Sequence, residues 1–402
     1  MKEKGVFQFF EQYLSKSTIF KNKKSLQSNY TPEHIFHRDE QIQQIASILA
    51  PSLHCDKPSN LFIYGKTGTG KTLTTKYVTN QLNEIATQKN LLLKIIYVNC
   101  KLRRVADTEY RLLAQLIKFF GKEMPPTGLP TDELYTYFFK EIDKEKQIII
   151  LVLDEIDQLV TKIGDSILYN LTRINTELKQ AQITLVGISN NLMFTEHLDP
   201  RVKSSLSEEE LVFPPYNAIH IQEILNQRAA IAYNPNVLEQ GLIEKCAAYA
   251  AREHGDARRA LELLRVAGEL AERENTTKVL LKHLDFAEEK IEKDRIIDLI
   301  KNQPKQYHAT LFSIFQLKKD DNVLFTGEIY EYYQQICQTT GLRPLTQRRV
   351  SDIIAEFDLL GIVNAKVISK GRYGRTREIT LSIPPSLYDN IKKIVTEELG
   401  LK

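Results

Sequence analysis

The loop of residues 65–72, which reads GKTGTGKT, constrains the fold of this chain more than any other stretch. It fits the pattern G-x-x-x-x-G-K-[ST], which works only between a strand and a helix. The apolar run Leu61–Tyr64 before it is typical of a buried strand, and residues 73–84 after it are typical of a helix. Glycines let such a loop curl until backbone N–H groups and the helix N-terminus surround phosphate oxygens. The sequence therefore predicts a phosphate-binding loop here.

A bound nucleotide gives the residues of this loop specific tasks. We expect Lys71 to neutralise the β- and γ-phosphates, Thr72 to ligate Mg²⁺, and the backbone of Leu73 to lie near the α-phosphate. The predicted cofactors are therefore ATP or ADP with Mg²⁺. The loop residues predicted to bind them are Gly68, Thr69, Gly70, Lys71, Thr72 and Leu73.

Four more apolar runs predict strands, and helical stretches separate them. They cover residues 91–99, 148–153, 183–189 and 211–213. Strands this apolar are covered on both faces, which is typical of a parallel sheet with helices on either side. We therefore predict an α/β domain over residues 32–213, with its nucleotide at the carboxyl ends of the strands.

Polar side chains follow two of these predicted strands. Asp154 and Glu155 come directly after the third strand, and Asn190 closes the fourth. We predict that Asp154 holds Mg²⁺ and that Glu155 orients the attacking water. The amide of Asn190 is expected to hold that water or the γ-phosphate. Taken alone, an acid after a strand is also a common helix N-cap, and an asparagine there is a common turn residue.

Three residues further along each allow two interpretations. Arg201, in the loop of residues 199–205, is either a surface cation or an arginine finger that reaches the nucleotide of a neighbouring subunit. Tyr216 and Arg228 are either a hinge aromatic and a helix C-terminal cation, or contacts of the nucleotide.

No strand is predicted over residues 214–300, which we interpret as a separate domain of four or more helices. Within it, Asp256 suits a helix N-cap, so that Arg258 and Arg259 fall at the unfavourable end of the helix dipole. A phosphate partner would offset that cost. We therefore predict that Arg258 contacts the nucleotide.

Residues 301–402 predict three helices and a β-hairpin with a basic, glycine-containing tip, the pattern of a winged helix. In the third helix, over residues 346–360, apolar residues share one face and Arg348 points away from it. Because positive residues collect on this helix and on the tip, we predict duplex DNA binding; a solvated basic face and a protein-binding winged helix are the alternatives. The predicted DNA contacts here are Thr346, Gln347, Arg348, Arg349, Ser351, Lys370, Arg372, Tyr373 and Arg375.

Composition sets the broad class of the protein. With 402 residues, 42% hydrophobic and 26% charged, the chain is expected to form two or three globular domains. A net charge of +3 makes any nucleic-acid surface local. The four cysteines have no metal-ligand spacing and no apolar run suits a membrane span, so we expect a cytoplasmic protein with reduced thiols. For residues 1–31 we predict an arm, which either packs on the first domain or docks on DNA.

Together these motifs resemble those of archaeal replication initiators of the origin-recognition and cell-division-cycle loader type, within the AAA+ ATPases. The phosphate loop and acid pair occur in many ATPases, whereas the Gly-Asp-x-Arg helix start and the terminal winged helix are more specific. The resemblance implies a AAA+ RecA-like sheet domain, an α-helical lid and a winged helix. The matching stretches are residues 37–40, 65–72, 153–155, 188–190, 200–205, 213–216 and 255–258, with the winged helix.

The same resemblance implies roles and partners. Asn190 would be the first sensor, Arg258 the second and Arg201 the finger, with Tyr216 and Arg228 as nucleotide contacts. An insertion over residues 101–121 would add DNA contacts from Arg103 and Arg104. The implied activity is a weak ATPase that acts as a switch on origin DNA. The implied partners are the replicative minichromosome-maintenance helicase and a paralogous initiator on DNA, in the cytoplasm at the nucleoid.

Two other functions share these local sites. One is a DNA motor of the branch-migration type, which predicts fast, DNA-stimulated turnover and a closed ring. The other is a nucleotide-regulated transcription or signalling switch. The contexts around Arg201 and Arg258 favour the initiator over the motor, but the residues do not separate the initiator from the switch.

Overall fold

The computed structural model divides into two compact units, one up to Leu284 and one from Asp285. The sequence-based domain boundaries near residues 31, 213 and 300 stay predictions. The side chains of His197, Ser369 and Arg375 lie outside the description. The structure describes residues 18–27, 30–101, 106–125, 128–253, 255–318, 323–369 and 375–401.

A five-stranded parallel sheet forms the centre of the first unit, with strand order β2-β3-β4-β1-β5. Alternate residues of β3 serve opposite faces, because Leu151 joins one apolar cluster and Ile150 and Val152 join the other. Both faces of the sheet are therefore covered, and the predicted parallel α/β fold is confirmed. The strands are β1 (Leu61–Tyr64), β2 (Leu93–Asn99), β3 (Ile148–Asp154), β4 (Gln182–Ser189) and β5 (Glu209–Val212).

The carboxyl ends of these strands meet at one edge of the sheet, since Asn99 pairs with Asp154 and Tyr64 with Ser189. Helices join the strands and cover the sheet. In chain order they are α1 (Asp39–Leu49), α2 (Lys71–Gln88), α3 (Glu109–Lys118), α4 (Thr131–Ile142), α5 (Ile156–Ile163), α6 (Ser166–Arg173) and α7 (Pro200–Leu206).

Four helices follow β5, as the sequence predicts. They are α8 (Ala218–Ala232), α9 (Leu242–Arg252), α10 (Ala257–Arg273) and α11 (Leu281–Lys301). The predicted N-cap of α10 is confirmed, because the Asp256 carboxylate accepts hydrogen bonds from the backbone N–H groups of Arg258 and Arg259 at 2.8 and 3.3 Å.

Residues 18–27 of the N-terminal arm pack on helices α8 and α10. The ring of Phe20 stacks on Tyr233 at 4.8 Å, and the backbone N–H groups of Lys21 and Asn22 donate to the Ala232 carbonyl at 2.8 and 3.0 Å. The prediction that the arm packs on the sheet domain was wrong for these residues. The space for Phe20 exists because Gly268 of α10 has no side chain, and a Cβ there would lie 2.5 Å from the ring.

The second unit has the winged-helix arrangement predicted for it. Three helices precede a β-hairpin, and a short strand between the first two helices completes an antiparallel sheet of order β6-β8-β7. Val350, Ile353 and Phe357 of the third helix are buried. Strand β8 begins at Arg375, which pairs with Ser369 of β7. The elements are α12 (Lys305–Leu317), β6 (Leu324–Phe325), α13 (Thr326–Thr340), α14 (Gln347–Leu359), β7 (Val363–Ser369), β8 (Arg375–Leu381) and α15 (Tyr388–Leu399).

Helix α15 was not predicted from the sequence. It buries Ile391, Val395 and Leu399, which recur every four residues, and the ring of Tyr388 packs edge-on against Phe315 at 5.7 Å. The periodicity was therefore present in the sequence.

All four cysteines are free thiols, and Cys100, Cys246 and Cys337 are buried. Among the helices that the structure describes, none combines the length and apolar character needed to cross a membrane. Within the same residues, no three His, Cys, Asp or Glu side chains cluster as a metal site.

Candidate functional sites

The phosphate loop has the backbone that a close approach to phosphate requires. Gly68 and Gly70 take φ values of +70° and +91°, which L side chains rarely adopt. Lys71 opens helix α2, and its Nζ donates to the carbonyls of Gly65 and Lys66, both at 2.7 Å. Burial, followed by the charge of Arg258, lowers the pKa of Lys71 to about 8. This buried ammonium would gain from an anionic partner.

The Asp154 carboxylate lies beside Thr72 at the carboxyl end of β3. Thr72 Oγ1 donates to it at 3.0 and 3.2 Å, and the backbone N–H of Glu155 donates to Oδ1 at 3.0 Å. A hydroxyl and a carboxylate side by side are hard oxygen donors of the kind that Mg²⁺ takes alongside waters and substrate phosphates. The residues present therefore fit Mg²⁺.

Tyr97 on β2 also donates its hydroxyl hydrogen to Asp154 Oδ2. Burial, and then the charge of Asp154, raises the pKa of Tyr97, so the hydroxyl stays a donor. Sequence reasoning missed this residue. The available signal was its position two residues before the end of a strand, at the sheet edge where the acid pair was expected.

A cavity of about 550 Å³ opens at this edge of the sheet. It brings together four of the six predicted loop residues with the acid pair, Asn190 from the end of β4 and Arg258 from α10. Thr69 does not line it, because its side chain is buried and its hydroxyl donates to the Lys66 carbonyl at 2.8 Å. Its lining is Gly68, Gly70, Lys71, Thr72, Lys76, Tyr97, Val98, Asn99, Gln115, Asp154, Glu155, Asn190 and Arg258.

Two details of the acid pair and Asn190 matter for chemistry. Glu155 has a left-handed φ of +55°, and its carboxylate lies 3.7 Å from the ammonium of Lys101. Next to Asn190, the hydroxyl of Ser189 donates to Asp157 at 3.1 Å, which fixes the end of β4. The acid and the amide thus face one cavity from neighbouring strands.

A second cavity, of about 200 Å³, shares Gly68, Gly70, Thr72, Lys76 and Arg258 with the first. Its remaining lining is largely apolar and aromatic, which suits a base and sugar. It includes Leu73, Tyr216 and Arg228, as well as Gln27, Tyr30, Ile35, Phe36, Ile224, Gln227 and Leu261.

Arg228 and Tyr216 are held from several sides. Arg228 is 5% exposed, donates to the Ser25 carbonyl at 3.4 Å and lies 4.5 Å over the ring of Tyr30. Burial lowers the pKa of Arg228. The hydroxyl of Tyr216 lies 2.8 Å from where a Cβ on Gly70 would be. Two residues predicted as nucleotide contacts thus line the cavity, together with the N-terminal arm.

The first turn of α10 lies directly against the phosphate loop. The N–H of Ala257 donates to the Gly68 carbonyl at 3.3 Å, and a Cβ on Gly68 would lie 1.8 Å from the Asp256 carboxylate. Arg259 is turned to Glu253, with Nε at 3.2 Å, whereas Arg258 lines the cavity.

Arg38 is the second residue that sequence reasoning missed. It is 3% exposed, and it donates to the carbonyls of Thr69 at 2.9 Å and Pro214 at 2.7 Å. Its guanidinium lies 3.9 Å over the ring of Tyr216. Residues 37–40 are among the stretches that carry the family resemblance, but their local pattern does not indicate contacts with residues 69 and 214.

Arg201 lies outside both cavities. Its exposed side chain bonds Asp199, the N-cap of α7, at 3.0 and 3.1 Å, and lies 5.3 Å over the ring of Tyr169. Arg103 and Arg104, the predicted DNA contacts of the insertion, lie outside the described residues.

Helix α14 presents its N-terminal turn to solvent. Gln347 and Arg348 are exposed, and the N-cap Thr346 accepts a hydrogen bond from the N–H of Arg349 at 3.4 Å. The guanidinium of Arg349 lies 3.7 Å from Glu356, which partly neutralises it. Arg348 is therefore the stronger candidate for a phosphate or a base edge.

The hairpin is fixed to the same helix. Arg377 of β8 donates to the Ser351 carbonyl at 3.0 Å. Lys370, Arg372 and Tyr373, predicted for the tip, lie outside the described residues, as does the side chain of Arg375.

Three family models match successive parts of the chain. They are described as "AAA domain" over residues 55–192, "Cdc6 AAA+ ATPase-type lid domain" over residues 222–289 and "CDC6, C terminal winged helix domain" over residues 298–390. The ORC1-type DNA replication protein 1 of Methanosarcina acetivorans is 52% identical over 396 residues, which cover 98% of this chain and 94% of that protein. The chain belongs to the ORC1-type DNA replication proteins.

Two further proteins similar to this ORC1-type protein support the same family. The ORC1-type DNA replication protein of Pyrococcus abyssi is 53% identical over 387 residues, covering 95% of this chain and 92% of that one. The Aeropyrum pernix ORC1 protein, solved in complex with DNA, matches with a TM-score of 0.84 and 44% identity, covering 95% of this chain and 98% of that one. The resemblance to replication initiators, and the AAA+, lid and winged-helix architecture, are confirmed. Membership of the AAA+ ATPases supports nucleotide binding and ATPase activity.

Proposed function

We propose that this chain is a replication initiator that binds origin duplex DNA sequence-specifically and uses ATP as a switch in recruiting the replicative minichromosome-maintenance helicase. The observation that carries the proposal is the position of Arg258. It comes from α10, yet it lines the same cavity as Lys71 and Asp154. A nucleotide held there touches the sheet and the helical segment at once, so its phosphates can set their relative position.

The triphosphate is held mainly by backbone N–H groups of residues 68–73 and by Lys71. Lys71 exchanges the Gly65 and Lys66 carbonyls for phosphate oxygens. Thr72 and Asp154 would hold Mg²⁺, which would supply positive charge to offset the negative charge of the phosphates. Tyr216, Arg228 and the residues of the smaller cavity hold the base and sugar.

Hydrolysis is assigned to the polar residues at the ends of β3 and β4. Glu155 orients and polarises the attacking water, while the amide of Asn190 keeps it in line with the γ-phosphate. Arg201 is exposed and points to solvent from α7. In a complex of two copies or with a paralogue, it reaches the partner's nucleotide as a finger. Without that cation the ATPase is weak, which suits a switch better than a motor.

The switch consists of the contacts between α10 and the phosphate loop. Arg258 binds the γ-phosphate, and the two residues before it, Asp256 and Ala257, contact Gly68. When the γ-phosphate leaves, Arg258 loses its anionic partner, and the helical segment is released from the loop. Such a change needs only a few kcal/mol of differential contact between the two states.

Duplex DNA binding is assigned to the second unit. The first turn of α14, with Thr346, Gln347, Arg348, Arg349 and Ser351, enters a major groove, and the basic hairpin tip touches phosphates. The Aeropyrum pernix ORC1 protein, which matches over 95% of this chain, was solved with DNA. That match supports DNA binding by this chain. Arg103 and Arg104 add contacts from the sheet domain.

The proposed domains are an arm over residues 1–31, the AAA+ domain over 32–213, the lid over 214–300 and the winged helix over 301–402. The proposed partners are origin DNA, the replicative helicase and a paralogous initiator. We place the protein in the cytoplasm, at the nucleoid.

Binding of purified protein to tiled fragments of its own genome tests the proposal. We expect fragments from replication starts to bind at least about tenfold more tightly than shuffled fragments, with log affinity falling linearly against log salt. ATP turnover should stay slow with either DNA. Equal affinity for all fragments, or turnover strongly stimulated by any DNA, would contradict an initiator.

A further inference from the structure

The hydroxyl of Tyr97 contacts the carboxylate that we assign to Mg²⁺. Tyr97 is half-buried, lines the larger cavity, and donates to Asp154 Oδ2 from the neighbouring strand β2. The other carboxylate oxygen accepts the backbone N–H of Glu155 at 3.0 Å. Each oxygen thus has one donor that the other lacks, and both lie within hydrogen-bond distance of Thr72 Oγ1, so the plane of the carboxylate is fixed.

The ring of Tyr97 is itself held in place. The ammonium of Lys76 lies 4.3 Å from the ring centroid. Lys76 is one helical turn after Thr72 on α2, so the two side chains lie on the same face of that helix. Tyr97 therefore lies between the helix that carries Thr72 and the strand that carries Asp154. A cation over a tyrosine face also stabilises the ring electrostatically.

We propose that Tyr97 is a positioning residue for the magnesium-bound nucleotide and acts through Asp154. The inference rests on the proposed nucleotide function of this site. Groups that hydrogen-bond a metal-ligating carboxylate fix its orientation, and their loss typically costs about 10–100-fold in metal affinity or activity. Tyr97 does not touch the phosphates in this account. Its removal should weaken the contribution of Mg²⁺ to nucleotide affinity and leave the metal-free affinity intact.

The test compares ATP affinity in Mg²⁺ with ATP affinity in EDTA, by calorimetry or a fluorescent ATP analogue. The ratio of the two dissociation constants measures the benefit of Mg²⁺. For Tyr97→Phe we expect this ratio to fall about tenfold and the half-saturating Mg²⁺ concentration to rise, with EDTA affinity within about twofold of wild type. Phe keeps the ring, and melting in EDTA checks the fold.

The matched control is Tyr64→Phe. Tyr64 ends β1 at the same edge of the sheet, but its hydroxyl bonds Glu210 at 3.4 Å. Its removal should leave the Mg²⁺ ratio unchanged. A merely structural role for Tyr97 would weaken binding equally in Mg²⁺ and EDTA, so the ratio would not move; that result overturns the inference.

A double-mutant cycle tests the role of Tyr97 separately from the proposed nucleotide function of the site. Asp154→Asn should abolish most of the Mg²⁺ benefit, and adding Tyr97→Phe should then change nothing more. A further loss in the double variant would show that Tyr97 acts independently of Asp154, against the inference. If the wild type gains nothing from Mg²⁺, the proposed metal site fails first. If Mg²⁺ raises the ATP affinity of wild type and of Tyr97→Phe by the same factor, the metal site stands and only the role of Tyr97 is contradicted.

Discussion

Single residues join parts of this protein that are far apart in sequence, and Arg38 does so most directly. It bonds the Thr69 carbonyl in the phosphate loop and the Pro214 carbonyl at the entrance to α8. Burial lowers the pKa of Arg38, with Tyr216 opposing that effect. Because a buried guanidinium is costly unless its N–H groups are bonded, these two carbonyls and the ring fix its position. Arg38 therefore links the entrance to α8 directly to the phosphate loop.

A pair of histidines lies beside Arg38. The rings of His37 and His220 stack with centroids 4.0 Å apart, and His37 Nε2 lies 2.8 Å from Glu223. Burial lowers the pKa of His220, and the charges of His37 and Arg38 lower it further, while Glu223 opposes them. The stack joins the segment before α1 to the first turn of α8.

The lowered pKa of His220 predicts a loss of stability in acid. Below the ordinary value of 6.5, the unfolded chain binds more protons at this position than the folded chain, so stability falls as pH drops from 7 to 5.5. Melting curves should show that His220→Gln loses less stability over this range than wild type. An unchanged pH profile in His220→Gln would contradict this prediction.

At the scale of single elements, we expect the short N-terminal arm to contribute strongly to the free energy of unfolding of the first unit. Phe20 is 8% exposed, and its removal leaves a cavity between Tyr233 and Gly268. We expect Phe20→Ala to lower the free energy of unfolding of the first unit by about 3 kcal/mol. Denaturant unfolding, with amide exchange in α8 and α10, measures the loss. Phe119→Ala, at a ring that is 40% exposed, should stay within about 0.5 kcal/mol of wild type.

Helix α14 predicts a separation of DNA binding from nucleotide binding. Arg348→Ala should weaken DNA binding by about 1–3 kcal/mol, because the lost side chain contacts a base edge or a phosphate. ATP affinity should stay the same. Fluorescence anisotropy with labelled origin DNA, alongside ATP titration, measures both.

The control for this change is Arg295→Ala, which removes an arginine on α11 that is paired with Glu292 at 3.5 Å. It should leave DNA affinity nearly unchanged. If Arg348→Ala lost both DNA affinity and ATP affinity, that result would contradict the assignment of DNA binding and nucleotide binding to separate units.

Local sequence patterns predicted the elements well, because their signals are local. The loop of residues 65–72, the apolar strand Ile148–Asp154 and the capping of α10 by Asp256 each depend on neighbours in sequence. Contacts between distant segments gave no such signal. Tyr97 meets Asp154 across 57 positions, and Arg38 meets Pro214 across 176. The arm packs on α8 and α10 because Gly268 leaves room for the ring of Phe20. That fit depends on tertiary packing, which the local sequence does not show.

At the scale of the whole molecule, the proposed function depends on two separate binding sites in one chain. In the proposed function, the first unit holds a nucleotide with backbone amides, Lys71 and the polar residues at the ends of its strands. The second unit is proposed to hold duplex DNA with the cationic turn of α14 and the hairpin. A switch follows only if both are used in the same cycle, with the helical segment that carries Arg258 responding to the phosphates.

The most direct test of this central claim is the genome-wide chromatin occupancy of the protein in the cells that carry it. Wild type should be enriched at the sites where replication starts, and Arg348→Ala should lose that enrichment while keeping its ATP affinity. Occupancy concentrated at promoters, or spread evenly with no enrichment at replication starts, would contradict the assignment as an initiator.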